Sequence, residues 1–203
     1  MALAPCGRFC RNYAVPLLQF DLRMRATTTV AFIAALTLGS FVYAEPNSPI
    51  KMGDISGSSG KWQEAKSTID APIADVREWM TDFVHWPDRF NDVTSARILS
   101  RADGVTTLRF RSKIIGRDMT IKLHVAENMV TYDGFGKDVT TQGKIFMRAI
   151  DDHHTEVTLQ SSSEVHGALG TFASKGMKRK RALTKMQSDL RALQAMANER
   201  THL

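Results

Sequence analysis

A change of hydrophobic period, falling late in a stretch without proline, constrains this chain more than any other feature. Pro87 is the last proline of the 203 residues. Beyond it, apolar and polar residues alternate through short segments as far as Val165, and from Ala168 onward the apolar residues recur at helical spacing. Alternation puts every second residue on one face of a strand, whereas a spacing of three to four makes a stripe along a helix. Sheet ladders tolerate no proline in their interior, because it has no backbone N–H to donate. The pattern predicts antiparallel strands followed by one long helix, an α+β fold.

The segments before Pro87 add a strand and two short helices. Trp62 to Ile69 alternates, with Ala65, Ser67 and Ile69 on one face. Asp70-Ala71-Pro72 then starts a helix with proline in its first turn, where the missing N–H costs nothing. Val76, Trp79, Met80 and Phe83 follow at i, i+3, i+4 and i+7, an amphipathic face heavy in aromatic rings. His85-Trp86-Pro87 stops this helix, and Asp88 to Asp92 permits a second helical turn that carries Phe90 inward.

Turn residues divide the remainder. Thr94 to Arg101 runs into Ala102-Asp103-Gly104, an Asp-Gly hairpin signal. Val105 to Ile115 presents Leu108, Phe110, Ser112 and Ile114 on one face and Arg109, Arg111 and Lys113 on the other. Gly116-Arg117-Asp118 leads into Met119 to Glu127, where Met119, Ile121, Leu123 and Val125 alternate with Thr120, Lys122 and His124. Further strands run from Met129 to Gly134, Lys144 to Ile150 and Thr155 to Val165, for six or seven in all. The closing stripe comprises Leu169, Phe172, Ala173, Gly176, Leu183, Met186, Leu190, Leu193 and Ala197. It calls for a helix of about thirty residues, roughly 45 Å long, covering the sheet.

The N-terminus sets the compartment. From Met24 the chain reads MRATTTVAFIAALTLGSFVYA, with Arg25 as a basic start, an apolar stretch from Val30 to Leu38, and small residues at Val42 and Ala44. This is the pattern of a secretory signal peptide cleaved near Ala44, with Met24 as the expected physiological start. Residues 1–44 form the leader, 45–60 a linker rich in proline, glycine and serine, and 61–200 the folded domain. The expected location is periplasmic or secreted. Of the 27 basic and 21 acidic side chains, the leader holds Arg8, Arg11, Arg23 and Arg25 against Asp21, so half of the net +6 leaves with it. Cys6 and Cys10 also leave, which removes thiol catalysis and thiolate metal sites from the mature chain.

No Gly-x-Ser-x-Gly, His-Glu-x-x-His, phosphate-binding loop or dinucleotide fingerprint is present. Among the six histidines, His153 and His154 follow Asp151-Asp152 in what reads as a hairpin turn, where neighbouring side chains point apart and do not converge on a metal. No metal or cofactor is expected. Lys175, Lys178, Arg179, Lys180, Arg181 and Lys185 form the densest charge cluster, and Arg179 or Lys180 is expected to interrupt the core-facing seam of the helix. Such a cluster is either a solvated face or a contact for anionic headgroups at a membrane surface, with Arg109, Arg111 and Lys113 assisting if their face lies nearby. Export removes nucleic acid from the expected partners.

Ile69-Asp70-Ala71-Pro72, followed by Val76, Trp79, Asp82, Trp86-Pro87 and Val93, resembles the opening of the START-like superfamily, also called SRPBCC, which includes polyketide cyclases and lipid-transport proteins. Gly143 before Ile145 and Met147, then Thr155-Glu156-Val157, is similar to that family's penultimate hairpin. The resemblance spans about Lys61 to Asn198. It implies a helix-grip fold, in which a curved sheet wraps around the C-terminal helix and leaves an apolar cavity for a lipid or other hydrophobic small molecule. The implied wall contains Leu108, Phe110, Met119, Ile121, Leu123 and Tyr132 on the first strands. Ile145, Met147, Leu159, Phe172 and Met177 continue it, and Trp79, Phe83 and Phe90 stand near the short-helix entrance. Ser161 and Ser163 are candidate polar contacts. A cyclase-like or hydrolase-like enzyme on the same fold would draw on Tyr132, Asp133, His124 or Glu164 as acid or base, and a third reading is an interaction module with a filled cavity.

Overall fold

A computed structural model describes residues 48–167 and 174–201. Eight strands form one antiparallel sheet in the order β1-β2-β8-β7-β6-β5-β4-β3. They are β1 (Lys51–Asp54), β2 (Gln63–Ile69), β3 (Val93–Ala102), β4 (Val105–Ser112), β5 (Arg117–Val125), β6 (Met129–Phe135), β7 (Val139–Ala149) and β8 (Thr155–Val165). Between β2 and β3 lie α1 (Ile73–Thr81), a short 3-10 turn (Phe83–His85) and α2 (Trp86–Arg89), and α3 (Lys175–Thr201) follows the sheet. This is a helix-grip fold of α+β class, with one strand more than the alternation predicts.

The additional strand corrects the expected linker. Lys51–Asp54 pairs with β2 in antiparallel register, Lys51 opposite Lys66 and Asp54 opposite Gln63. Its residues are almost all exposed, so it has no buried face to advertise itself by alternation. Tertiary contacts hold it instead: Arg179 Nε donates to Asp54 Oδ1 at 2.8 Å, and the Gln194 amide donates to the Ser48 carbonyl at 2.7 Å and to Ser67 Oγ at 2.9 Å.

The other strands follow their alternation. On β2, Gln63, Ala65, Ser67 and Ile69 are buried, and on β5 Met119, Ile121 and Leu123 are. Asp103 and Gly104 join β3 to β4 with φ of 52° and 74°, the paired left-handed conformation that a two-residue hairpin of matching twist requires. Two register shifts in β3, between Val93 and Ser95 and between Ile98 and Ser100, add the local twist that bends a sheet.

The helix α3 is gripped along part of its length. Met186, Leu190, Leu193 and Ala197 are buried at helical spacing, and the helix packs mainly on β2 and β8. Upstream of Met186 its inward side is less covered, and Met177 is 49% exposed. Gly176, expected on the stripe, is exposed, and Leu169, Phe172 and Ala173 lie outside the described residues. Pro72 caps α1, whose buried face is Val76, Trp79 and Met80 as their spacing predicts. No helix among the described residues is long and apolar enough to cross a membrane.

Candidate functional site

The less-covered half of α3 stands over a cavity of about 500 Å³, within the range of small-molecule sites. Of the residues expected on its wall, Phe90, Phe110, Ile121 and Leu123 line it, as do Tyr132, Ile145, Leu159 and Met177. Ser161 and Ser163 line it too. Phe172 lies outside the described residues.

Five expected wall residues belong to the surrounding core instead. Trp79 and Phe83 are buried at 6% and 3% exposure but away from the cavity. Trp79 sits at the opposite end of α3, where the Arg200 guanidinium lies 5.9 Å from its ring and Arg200 pairs with Asp75. The residue that takes the place expected for these rings is Trp86, which packs edge-on against Phe83, Phe90 and Phe110 at centroid distances of 5.0, 5.9 and 6.0 Å. Pro87 stands in the first turn of α2, next to Trp86, which lines the cavity. Leu108 is fully enclosed, and Met119 lies over the bare backbone of Gly134 and Gly136, filling space there rather than facing the cavity. Met147 is buried on β7, the strand against which α1 packs.

Tyr132 is positioned by a missing side chain. Gly143 is its directly opposed partner on β7, and a Cβ there would collide with the phenol ring and with the Gln160 carbonyl oxygen. The glycine leaves room for the ring to lie across the sheet, so the hydroxyl reaches the Ser161 and Thr141 hydroxyls. Burial raises the phenol above its ordinary pKa, with Ser161 opposing that shift. Of the four acid or base candidates, Tyr132 alone lines the cavity: His124, Asp133 and Glu164 are exposed on the other face of their strands.

Beside Tyr132 stands a charged group, in which Lys185 of the basic cluster meets two carboxylates that the sequence does not single out. Lys185 Nζ lies 2.5 Å from Asp189 Oδ1 and 3.5 Å from Asp92 Oδ2, and 6.0 Å from the centroid of the Phe110 ring. Asp92 Oδ2 also accepts from Ser112 Oγ at 2.8 Å, while Asp92 Oδ1 has no hydrogen-bond partner among the described residues. Burial pushes the Asp189 carboxyl up to about 6, with Lys185 pulling it down and Asp92 adding to the rise. Burial also works against the Lys185 charge, but Asp189 and Asp92 more than offset it and hold that pKa above the ordinary lysine value. Lys185, not Arg179 or Lys180, therefore interrupts the core-facing seam of α3. The signal available in the sequence was Lys185 and Asp189 at i, i+4, in phase with Ala182 and bracketing Met186.

The mouth carries most of the remaining charge. Lys178 and Arg181 line it from α3, and Arg117 faces them paired with Asp138. Lys175 and Lys180 are exposed, and Arg179 is held by Asp54. Arg109 and Arg111 do not join them, since both lie on the outer face beside Asp118 at 3.6 Å, and the Lys113 ammonium donates to the Asn91 carbonyl at 2.9 Å. The Asp151 turn forms as expected: its carboxylate accepts from the His153 and His154 backbone N–H groups, both at 2.8 Å, which lowers its pKa. No group of metal-ligating side chains is found among the described residues.

No protein-family model matches this chain, and no curated protein sequence does. Solved structures match its fold. A STAR-related lipid transfer protein from Xanthomonas axonopodis superposes with a TM-score of 0.60 at 15% identity, covering 76% of this chain and 97% of that one. A START superfamily protein from Mycobacterium smegmatis gives 0.59 at 16% identity, over 68% of this chain and 97% of that one. The aromatase/cyclase Zhui from Streptomyces sp. R1128 gives 0.55 at 17% identity, over 75% and 96%. The chain shares the helix-grip fold of these proteins.

Proposed function

We propose that this protein binds a hydrophobic small molecule, a lipid foremost, in the cavity beneath the N-terminal half of α3, and carries it between membranes after export. The observation that carries the reading is the wall itself: aromatic and aliphatic side chains surround a space of about 500 Å³, with polar groups gathered at one end and at the mouth. An apolar ligand entering such a space gains roughly 25 cal/mol for each Å² of apolar surface removed from water. Solved proteins of this fold include one titled a lipid transfer protein, which agrees with a carrier role. The basic mouth serves as the docking face toward anionic lipid. Native mass spectrometry of the protein isolated from its own compartment tests the proposal. A co-purifying lipid is expected, and a protein that is consistently empty and takes up no lipid would sink it. The same spectrum gives the mature mass, which should match cleavage near Ala44.

Acid–base catalysis is the second reading, because Tyr132 sits inside the cavity beside Lys185 and Asp189. A phenol whose pKa is raised donates a proton or hydrogen bond more readily than it abstracts one. Aromatic polyketone substrates should then show turnover that Tyr132→Phe abolishes. Turnover unaffected by that substitution would remove Tyr132 from the chemistry.

A further inference from the structure

A carboxylate and an ammonium, Asp189 and Lys185, line a largely apolar cavity, and a second carboxylate, Asp92, is buried against the ammonium. Building on the reading that this cavity takes a hydrophobic ligand, we propose that its inner end selects amphiphiles with a hydroxyl or amine head and rejects those with an anionic head, such as fatty carboxylates.

The argument is one of unbalanced charge. From α3 come Lys185 and Asp189, from the turn before β3 comes Asp92, and from β6 comes the neutral phenol of Tyr132. The neighbouring strands β4, β7 and β8 contribute the hydroxyls of Ser112, Thr141 and Ser161. The Lys185 ammonium is already engaged by both carboxylates, at 2.5 and 3.5 Å, so the group as a whole carries one negative charge in excess. Within a largely apolar wall that excess is screened less than it would be in water. Burial first, and Asp92 after it, push the Asp189 carboxyl up to about 6 against the pull of Lys185.

Each class of ligand head meets this excess differently. A hydroxyl donates a hydrogen bond to a carboxylate at little desolvation cost. An ammonium supplies the missing charge. An anion arriving at Lys185 adds a second uncompensated negative charge, the arrangement by which sites reject a wrong partner. The basic residues Lys178 and Arg181 stand at the mouth, on the turns of α3 preceding Lys185, so an anion meets attraction at the rim and the uncompensated carboxylate beyond it.

Displacement of the fluorophore N-phenyl-1-naphthylamine from the full chain, by dodecanol, dodecylamine and dodecanesulfonate, tests the selectivity with one tail and three heads. At neutral pH the alcohol and the amine should compete at least about tenfold more strongly than the sulfonate. Asp189→Asn removes one negative charge while keeping the shape, and should raise the affinity for the sulfonate about tenfold relative to that for the alcohol. Equal competition by the three, or a preference for the sulfonate, overturns the selectivity and leaves the carrier reading standing. Failure of the fluorophore and of every amphiphile to bind overturns the carrier reading itself. If the variant does not fold, the ranking on the unsubstituted protein decides.

Discussion

At the scale of single residues, Asp189 ties the proposed ligand selectivity to stability. Its folded pKa of about 6 stands above the ordinary value of 3.8, so the folded state holds the proton more tightly than the unfolded chain does. Stability from this residue is therefore greatest below the unfolded pKa and declines as pH rises, until the loss is complete above the folded pKa. Across about pH 5 to 7 the unfolding free energy should fall by about 1 kcal/mol or more. The carboxylates with lowered pKa values, Asp151 and Glu156, act in the opposite sense but below this window. Urea unfolding at each pH is the measurement, and Asp189→Asn should flatten the profile. An unsubstituted protein that gains stability from pH 5 to 7 would contradict the assignment. Gly143 is a second residue with more than a local role, because the ring it makes room for is the only acid or base candidate that the sequence placed correctly in the cavity.

At the scale of elements, α3 divides into a gripped half and a free half, and the two should respond differently to truncation. Leu190 is fully buried in the gripped half, whereas Met177 in the free half is 49% exposed. Leu190→Ala should cost about 3 kcal/mol of unfolding free energy. Met177→Ser should cost less than about 0.5 kcal/mol and weaken fluorophore binding instead. Equal losses of stability would mean that the helix is held uniformly. The same division explains what could be read in advance. The strands were legible because each has one buried face, and the Asp103-Gly104 turn because its geometry restricts residue choice. The strand β1 was not, since an edge strand exposed on both faces leaves no alternation and is held by β2 and by Arg179 from far along the chain. The apolar wall was legible in part: Phe110, Ile121 and Leu123 face inward as their period requires, but period cannot distinguish a side chain facing open space from one under another layer, as Leu108 and Met147 show. Lys185 reads only as one member of the basic cluster, and Asp189 carries no mark at all, because on a helix an inward charge and an outward one differ only by phase.

At the scale of the molecule, the distribution of charge matters more than its sum. Beyond the expected leader, 23 basic residues face 20 acidic ones, a balance that gives little attraction to an anionic surface. The mouth concentrates what excess there is. Lys175, Lys178 and Arg181 succeed one another at i, i+3 and i+6, the spacing of a helix face that turns slowly toward the rim, while Lys180 is displaced around the helix and Arg179 is tied to Asp54. If the mouth docks on membranes, replacing Lys175, Lys178 and Arg181 by serine should weaken binding to vesicles containing phosphatidylglycerol by tenfold or more, since each cation near such a surface contributes about 1 kcal/mol. Lys180→Ser should change it by less than about threefold. Raising the ionic strength should weaken the unsubstituted protein far more than the triple variant, because salt shortens the range of exposed charges, to about 10 Å at 0.1 M, and the variant has lost the charges it acts upon. Vesicle flotation measures all three effects. Binding that ignores both the triple substitution and salt would place the membrane contact elsewhere and leave the basic rim as a solvated helix face.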